Sequence, residues 1–292
     1  GNVIHTEPRD MYVSRVIALQ AGMEKSSAAL TVNRLCGSGL QAIVSASQIL
    51  MLGDASIAMA GGVEVMSNGA HIVQGFRWGS RMGDGQVHDM MLGALHDPFG
   101  HGHMGITAEN ISSRYQISRE MQDEFALTSQ KRAQKAIENG VFKDQILPIE
   151  IKTRKGVEIF ETDEHLKPDT SMETLSSLRT AFKKDGVVTA GNASGINDGA
   201  SALILANEEK AKKSKPLARI VSYGFGGVDP DEMGMGPIPA SKMALKKAQL
   251  SVSDLDLIES NEAFAAQACA VNKQLGLDPS KVNVNGGAIA LG

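Results

Sequence analysis

Between residues 28 and 62 the chain runs through an apolar stretch, a glycine-bearing turn, a helix-patterned stretch and a second apolar run, and this order constrains the fold more than any other feature. Residues 28–32 read as a strand. Residues 41–51 carry apolar side chains at helical spacing and stop at Gly53, and residues 56–60 form a second strand that closes on Gly61-Gly62. Short connections with a buried apolar strand at each end are the signature of a βαβ unit with parallel pairing. An α/β fold is therefore expected.

The turn between the first strand and the helix, Asn33-Arg34-Leu35-Cys36-Gly37-Ser38-Gly39, holds Cys36. A thiol at a helix N-terminus meets free N–H groups and the positive end of the helix dipole. Both favour thiolate, lowering a cysteine pKa from about 8.5. Most free cysteines are small buried apolar residues. Here Gly37 and Gly39 remove side chains where a ligand would approach the backbone, which favours function over packing. The second cysteine, Cys269, sits in the alanine-rich run 263–270 and reads as part of a packed helix face.

Two cysteines in 292 residues argue against a disulfide framework and suit a reducing compartment, so a cytoplasmic location is expected. With 42% hydrophobic and 21% charged residues the chain is long enough for two domains. A net charge of −4 gives no general reason to expect nucleic acid or an anionic membrane as partner. No apolar run approaches the ~18 residues of a spanning helix. The start, Gly1-Asn2-Val3-Ile4-His5, lacks an initiating methionine and resembles no signal peptide, so the sequence reads as a piece of a longer protein. His96, His101 and His103 near Asp97 lack the spacing of a metal site, and no metal is expected.

From about residue 67 to 195 the texture changes to glycine, methionine and histidine, and alternating strands disappear. Helices are expected at 107–115 and at 118–139, the latter with Ser118 as N-cap and Gly140 just past its end. The glycine-rich segment 75–85 suits an arm against another subunit or a mobile lid. After Gly195 the α/β texture returns, with strands at 200–206, 219–224, 255–259 and 281–285 and helices at 241–249 and 262–275. Gly224-Phe225-Gly226-Gly227 is assigned to turns.

Five motifs carry a resemblance: Asn33-Arg34-Leu35-Cys36-Gly37-Ser38-Gly39; His103-Met104-Gly105-Ile106-Thr107-Ala108-Glu109-Asn110; Thr189-Ala190-Gly191-Asn192-Ala193-Ser194-Gly195; Asn261-Glu262-Ala263-Phe264-Ala265; and Asn285-Gly286-Gly287-Ala288-Ile289-Ala290-Leu291-Gly292. In order and spacing they resemble the thiolase family, and within it the bacterial acetyl-CoA acetyltransferases. The resemblance implies the duplicated five-layer α-β-α-β-α fold with an inserted loop domain, incomplete at both termini. Its domains would be 1–66 and 196–217 (N-terminal), 67–195 (the insertion) and 218–292 (C-terminal). It implies interconversion of two acetyl-CoA with acetoacetyl-CoA and CoA, without a tightly bound cofactor. A homotetramer would be joined through the segment 77–85.

Residue by residue, Cys36 matches the acyl-carrying nucleophile and Asn261 the residue that orients a water in an oxyanion hole; capping a helix that begins at Glu262 is the competing reading for Asn261. His103 and Met104 match positions lining the pantetheine channel and acyl pocket. Leu95, Phe182, Ala190, Ser194 and Phe264 match contacts to coenzyme A, although core packing competes for Leu95 and Phe182. Lys167, Arg179, Lys183 and Lys184 flank Phe182 in sequence and suit the CoA phosphates, Lys167 standing nearest to the family's arginine.

The family continues from the last motif into a histidine and later into a second cysteine, the α-proton base, and neither is within this sequence. Two alternatives follow. One is a longer-chain 3-ketoacyl-CoA thiolase; the other is a non-catalytic CoA-binding or assembly fragment.

Overall fold

Strand Ile57–Val65 pairs antiparallel with strand Asp198–Ala206 over nine residues, from Ile57 opposite Ala206 to Val65 opposite Asp198. In the computed structural model, which describes residues 1–292, this ladder is the centre of the first of two units, Gly1–His96 with Ile196–Val221. Helix Ser38–Leu52 lies on the ladder. Its Ala46 packs with Ala60 and Leu205, flanked by Ala42, Ile43, Leu50 and Ala58. Gly53 ends the helix in the left-handed conformation, at φ 82°, as glycine does without steric cost.

Two expectations change here. Residues 28–32 form no ladder with the second strand, because residues 1–3 stand between them. The Gly1 amine donates to Gly61 O, Val63 N–H donates to Gly1 O, and Asn2 N–H donates to Val32 O. Those first two bonds bracket Gly62 as parallel pairing requires, so the parallel neighbour comes from the first residues of the chain. The segment Leu35–Leu52 is long and apolar enough, by length and composition, to cross a membrane, contrary to the reading that no such run exists. Its helix is 15 residues long, and part of its apolar content forms the core contact with the sheet.

The same unit carries a short hairpin, His71–Val73 with Val87–Asp89. The connection between its strands holds Trp78, 90% exposed, and Met82, fully exposed.

The second unit, Asp97–Gly195 with Ser222–Gly292, is mainly helical. Helix Arg119–Glu138 starts at Ser118, whose hydroxyl accepts from Met121 N–H at 3.2 Å, and Gly140 follows its end at φ 68°. Helix Ala265–Leu275 buries Ala265, Ala266, Ala268, Ala270 and Val271. Small side chains let its neighbours come close: Ala270 and Val271 meet Ile111, Ile117 and Met235, while Ala265 meets Ala126, Leu175 and Ile289.

The loop-rich insertion is not strand-free: Ile149–Thr153 and Gly156–Phe160 form an antiparallel hairpin. Conversely, residues 219–224, 255–259 and 281–285 form no extended ladder. Only Ile258 and Val282 bridge, in parallel. Gly224 and Gly226 also serve differently from turn residues. A Cβ on Gly224 would lie 2.1 Å from Ala240 O, and one on Gly226 2.6 Å from Pro239 Cβ. These glycines let the backbone pack directly on helix Pro237–Ala248.

Candidate active site

Cys36 is exposed and immediately precedes Gly37, the N-cap of helix Ser38–Leu52. Side chains on either side hold its turn. Asn33 Oδ1 accepts from Leu35 N–H at 3.0 Å, and Ser38 Oγ accepts from Arg34 N–H at 2.8 Å while donating to Leu35 O at 2.6 Å. Leu35 is thereby held at φ 49°, a left-handed conformation that costs an L-residue roughly 1–2 kcal/mol. The local sequence supplies the donors and acceptors that fix it. Behind the turn, Gly39 and Ile43 face Ala60, Gly61, Gly62, Ser201 and Leu203 across a cleft of about 140 Å³. Gly61 must be glycine, since a Cβ there would lie 2.4 Å from Ser201 O.

The other thiol is unlike it. Burial, together with the nearby Glu262 carboxylate, pushes the Cys269 thiol up to about 12. At neutral pH it has almost no thiolate with which to react.

In the second unit His103, Phe182 and Phe264 form an aromatic row. The His103 and Phe182 rings stack with centroids 4.6 Å apart and 20° between planes, and Phe264 meets Phe182 edge-on at 6.1 Å. His103 also caps helix Met104–Tyr115, its Nδ1 accepting from Gly105 N–H at 3.0 Å. That bond leaves Nε2 as the nitrogen that carries the proton in the neutral ring. Met104, half-buried, is the first residue of this helix.

Beside this row the Thr189–Gly195 motif grips the Asn261–Ala265 motif. Ser194 N–H donates to Ala263 O at 3.0 Å, Ala265 N–H donates to Asn192 O at 2.8 Å, and Ala193 bridges Phe264. Asn192 is fully buried; its amide donates to Asp123 Oδ1 and Val187 O, and its Oδ1 accepts from Thr189 N–H. Glu109, also buried, accepts from the N–H groups of Val187 and Val188.

Asn261 is exposed. It is not a helix cap, because the helix begins at Ala265 with Phe264 in the N-cap position. The residues on either side of it are held firmly. Asn283 Oδ1 accepts from Ser260 N–H and Asn283 Nδ2 donates to Ser260 O, both at 2.8 Å.

A cleft of about 240 Å³ opens in this unit between Gln130, His165, Lys167, Thr170, Thr174, Leu175, Leu178, Ala190, Gly191 and Ile289. Lys167 and Ala190 were expected at a ligand site and both line it; Gln130, His165 and Thr174 were not anticipated. Arg179, Lys183 and Lys184 are exposed but do not line it. Leu95 belongs to the first unit, half-buried after helix Met90–Ala94.

Two family models together match nearly the whole chain. Residues 1–209 match the family model described as thiolase, N-terminal domain, and residues 214–292 that described as thiolase, C-terminal domain. The chain is 59% identical to the beta-ketothiolase BktB of Cupriavidus necator, over all of this chain and 75% of that protein. It is 52% identical to an acetyl-CoA acetyltransferase of Thiocystis violacea, over 96% of this chain and 72% of that one. The crystal structure of human mitochondrial 3-ketoacyl-CoA thiolase in complex with CoA superposes with a TM-score of 0.96 at 47% identity, over 100% of this chain and 74% of that one. The chain thus spans about three quarters of the length of these relatives. Matched by both domain models across nearly its whole length, it belongs to the thiolase family of acyltransferases.

Proposed function

We propose that the protein interconverts two acetyl-CoA with acetoacetyl-CoA and CoA through an acetyl group carried on Cys36. In the first half-reaction Cys36 Sγ bonds to the acetyl carbonyl carbon and the bond to the CoA sulfur breaks; CoA departs as the thiol with the proton from Cys36. In the second, the α-carbon of another acetyl-CoA gives up a proton and bonds to that carbonyl carbon as the Cys36 sulfur leaves, the proton ending on the regenerated Cys36 thiol. The observation that carries this reading is the exposed Cys36 on a side-chain-braced turn at a helix entry, against a second thiol pushed up to about 12.

Asn261 donates to the oxygen of the attacking thioester through a water, stabilising its enolate; such a donor is worth about 3 kcal/mol. The aromatic row of His103, Phe182 and Phe264, with Met104 and Ser194, holds the pantetheine and acyl portions. Coenzyme A's phosphates fall to the 240 Å³ cleft beside Lys167 and Ala190. The resemblance and the exposed Trp78 and Met82 support a homotetramer built through the segment 77–85. Two unpaired cysteines suit the cytoplasm.

Intact-mass analysis after incubation with acetyl-CoA tests the reading. One acetyl group that maps to Cys36 and is absent in Cys36→Ser is expected; acetylation elsewhere, or none, overturns it. Comparing cleavage of acetoacetyl-CoA with longer 3-ketoacyl-CoA decides chain length, and faster turnover of the longer substrate would favour the 3-ketoacyl-CoA reading.

A further inference from the structure

Glu262 is the one residue of the Asn261–Ala265 motif whose ionisable side chain the reaction does not use, and it is only 1% exposed. No cation pairs with it. Instead three donors converge on its carboxylate: Ser129 Oγ at 2.7 Å and Ile289 N–H at 3.1 Å on Oε2, and Asn283 Nδ2 at 2.8 Å on Oε1. A buried carboxylate costs a great deal unless its oxygens are hydrogen-bonded, and here a helix, a loop and the last turn of the chain each supply a donor.

These partners reach further. Ser129 Oγ also accepts from Gly287 N–H at 3.0 Å. Asn283 sits at φ 46°, and from that conformation its carboxamide bonds both backbone groups of Ser260. A Cβ on Gly287 would stand 2.3 Å from Glu262 Cδ, so glycine there is what admits the carboxylate. The outcome is a short stretch in which Ser260 is held through Asn283, Glu262 through three donors and Ala263 through Ser194 N–H, with the exposed Asn261 between them.

We propose that Glu262 is a positioning residue: its buried carboxylate, bonded to Ser129, Asn283 and Ile289, anchors the chain next to Asn261 and so sets where the Asn261 carboxamide is presented. This rests on the functional reading of Asn261 given above. Because Glu262 acts through Asn261, losing both costs no more than losing Asn261.

The test is steady-state acetoacetyl-CoA synthesis by the full protein carrying Asn261→Ala, Glu262→Gln and the pair, with thermal midpoints measured in parallel. A glutamine places a donor against converging donors, so Glu262→Gln is expected to lower kcat ten- to a hundredfold with KM changed less than threefold. The double variant is expected to match Asn261→Ala within a factor of about two. Additive losses, or a wild-type kcat in Glu262→Gln, overturn the positioning role. A wild-type kcat in Asn261→Ala overturns the underlying reading of Asn261 instead. If Glu262→Gln does not fold, Ser129→Ala decides: it removes one donor, and a three- to tenfold fall in kcat absent on the Asn261→Ala background is expected, an unchanged kcat overturning the role.

Discussion

The ring of Phe182 lies against the ring of His103, centroids 4.6 Å apart, and it does so directly over Gly105. A Cβ on Gly105 would stand 2.2 Å from Phe182 Cδ2. Gly105→Ala is therefore expected to displace Phe182 from His103 and to cost about 1–3 kcal/mol by overpacking. Thermal denaturation and a CoA titration check this together: the midpoint falls and CoA binds more weakly. Unchanged values for both would show that the stack yields without consequence.

The two thiols differ in access, Cys36 being exposed and Cys269 largely covered. With Cys269 pushed up to about 12 by burial and the Glu262 charge, about 10⁻⁴ of it is thiolate at pH 8. Iodoacetamide at that pH is expected to label one cysteine, Cys36, with loss of turnover. Raising the pH to 10 leaves the stoichiometry at one while the fold persists. Early labelling of Cys269 would contradict its placement.

Asn33 braces the turn that carries Cys36 by accepting from Leu35 N–H. Asn33→Ala leaves Leu35 at φ 49° without that bond, with an expected loss of about 0.5–1.5 kcal/mol. The informative measurement is the alkylation rate of Cys36 relative to the change in stability. A rate that changes severalfold shows that the brace orients the thiol; an unchanged rate confines Asn33 to a structural role.

Asp198, at the start of the strand Asp198–Ala206, accepts from the Ser67 hydroxyl at 2.6 Å and from Ser67 N–H at 2.9 Å. These bonds, the hydroxyl first, hold its carboxyl below the usual aspartate value. A depressed folded-state pKa contributes stability that is present above the unfolded value of about 3.9 and lost as pH falls through the folded value. Asp198→Asn should therefore lower the thermal midpoint at pH 7, and its deficit should shrink below pH 4. A deficit that is constant across that range would exclude the carboxylate as its source.

Much of the local structure was legible because it is set by near neighbours. Ser118, Gly53, Gly140 and Gly276 each bound a helix where expected, since a cap needs only the adjacent turn. The strand expectations fared worse, because a ladder needs a partner that sequence pattern does not name. Residues 28–32 and 57–65 are separated by the first three residues of the chain, a neighbour no local period could reveal.

The family was legible in the sequence through five ordered motifs, and Cys36 was singled out as a candidate by the glycines and polar residues around it. Only the tertiary structure decided that Glu262 is buried rather than solvated, and that Asn261 is exposed on a clamped loop rather than spent as a helix cap. Glu262's partners lie 133, 21 and 27 residues away. A charge's environment is fixed by which remote donors surround it once the chain has folded, and that information is in no single segment.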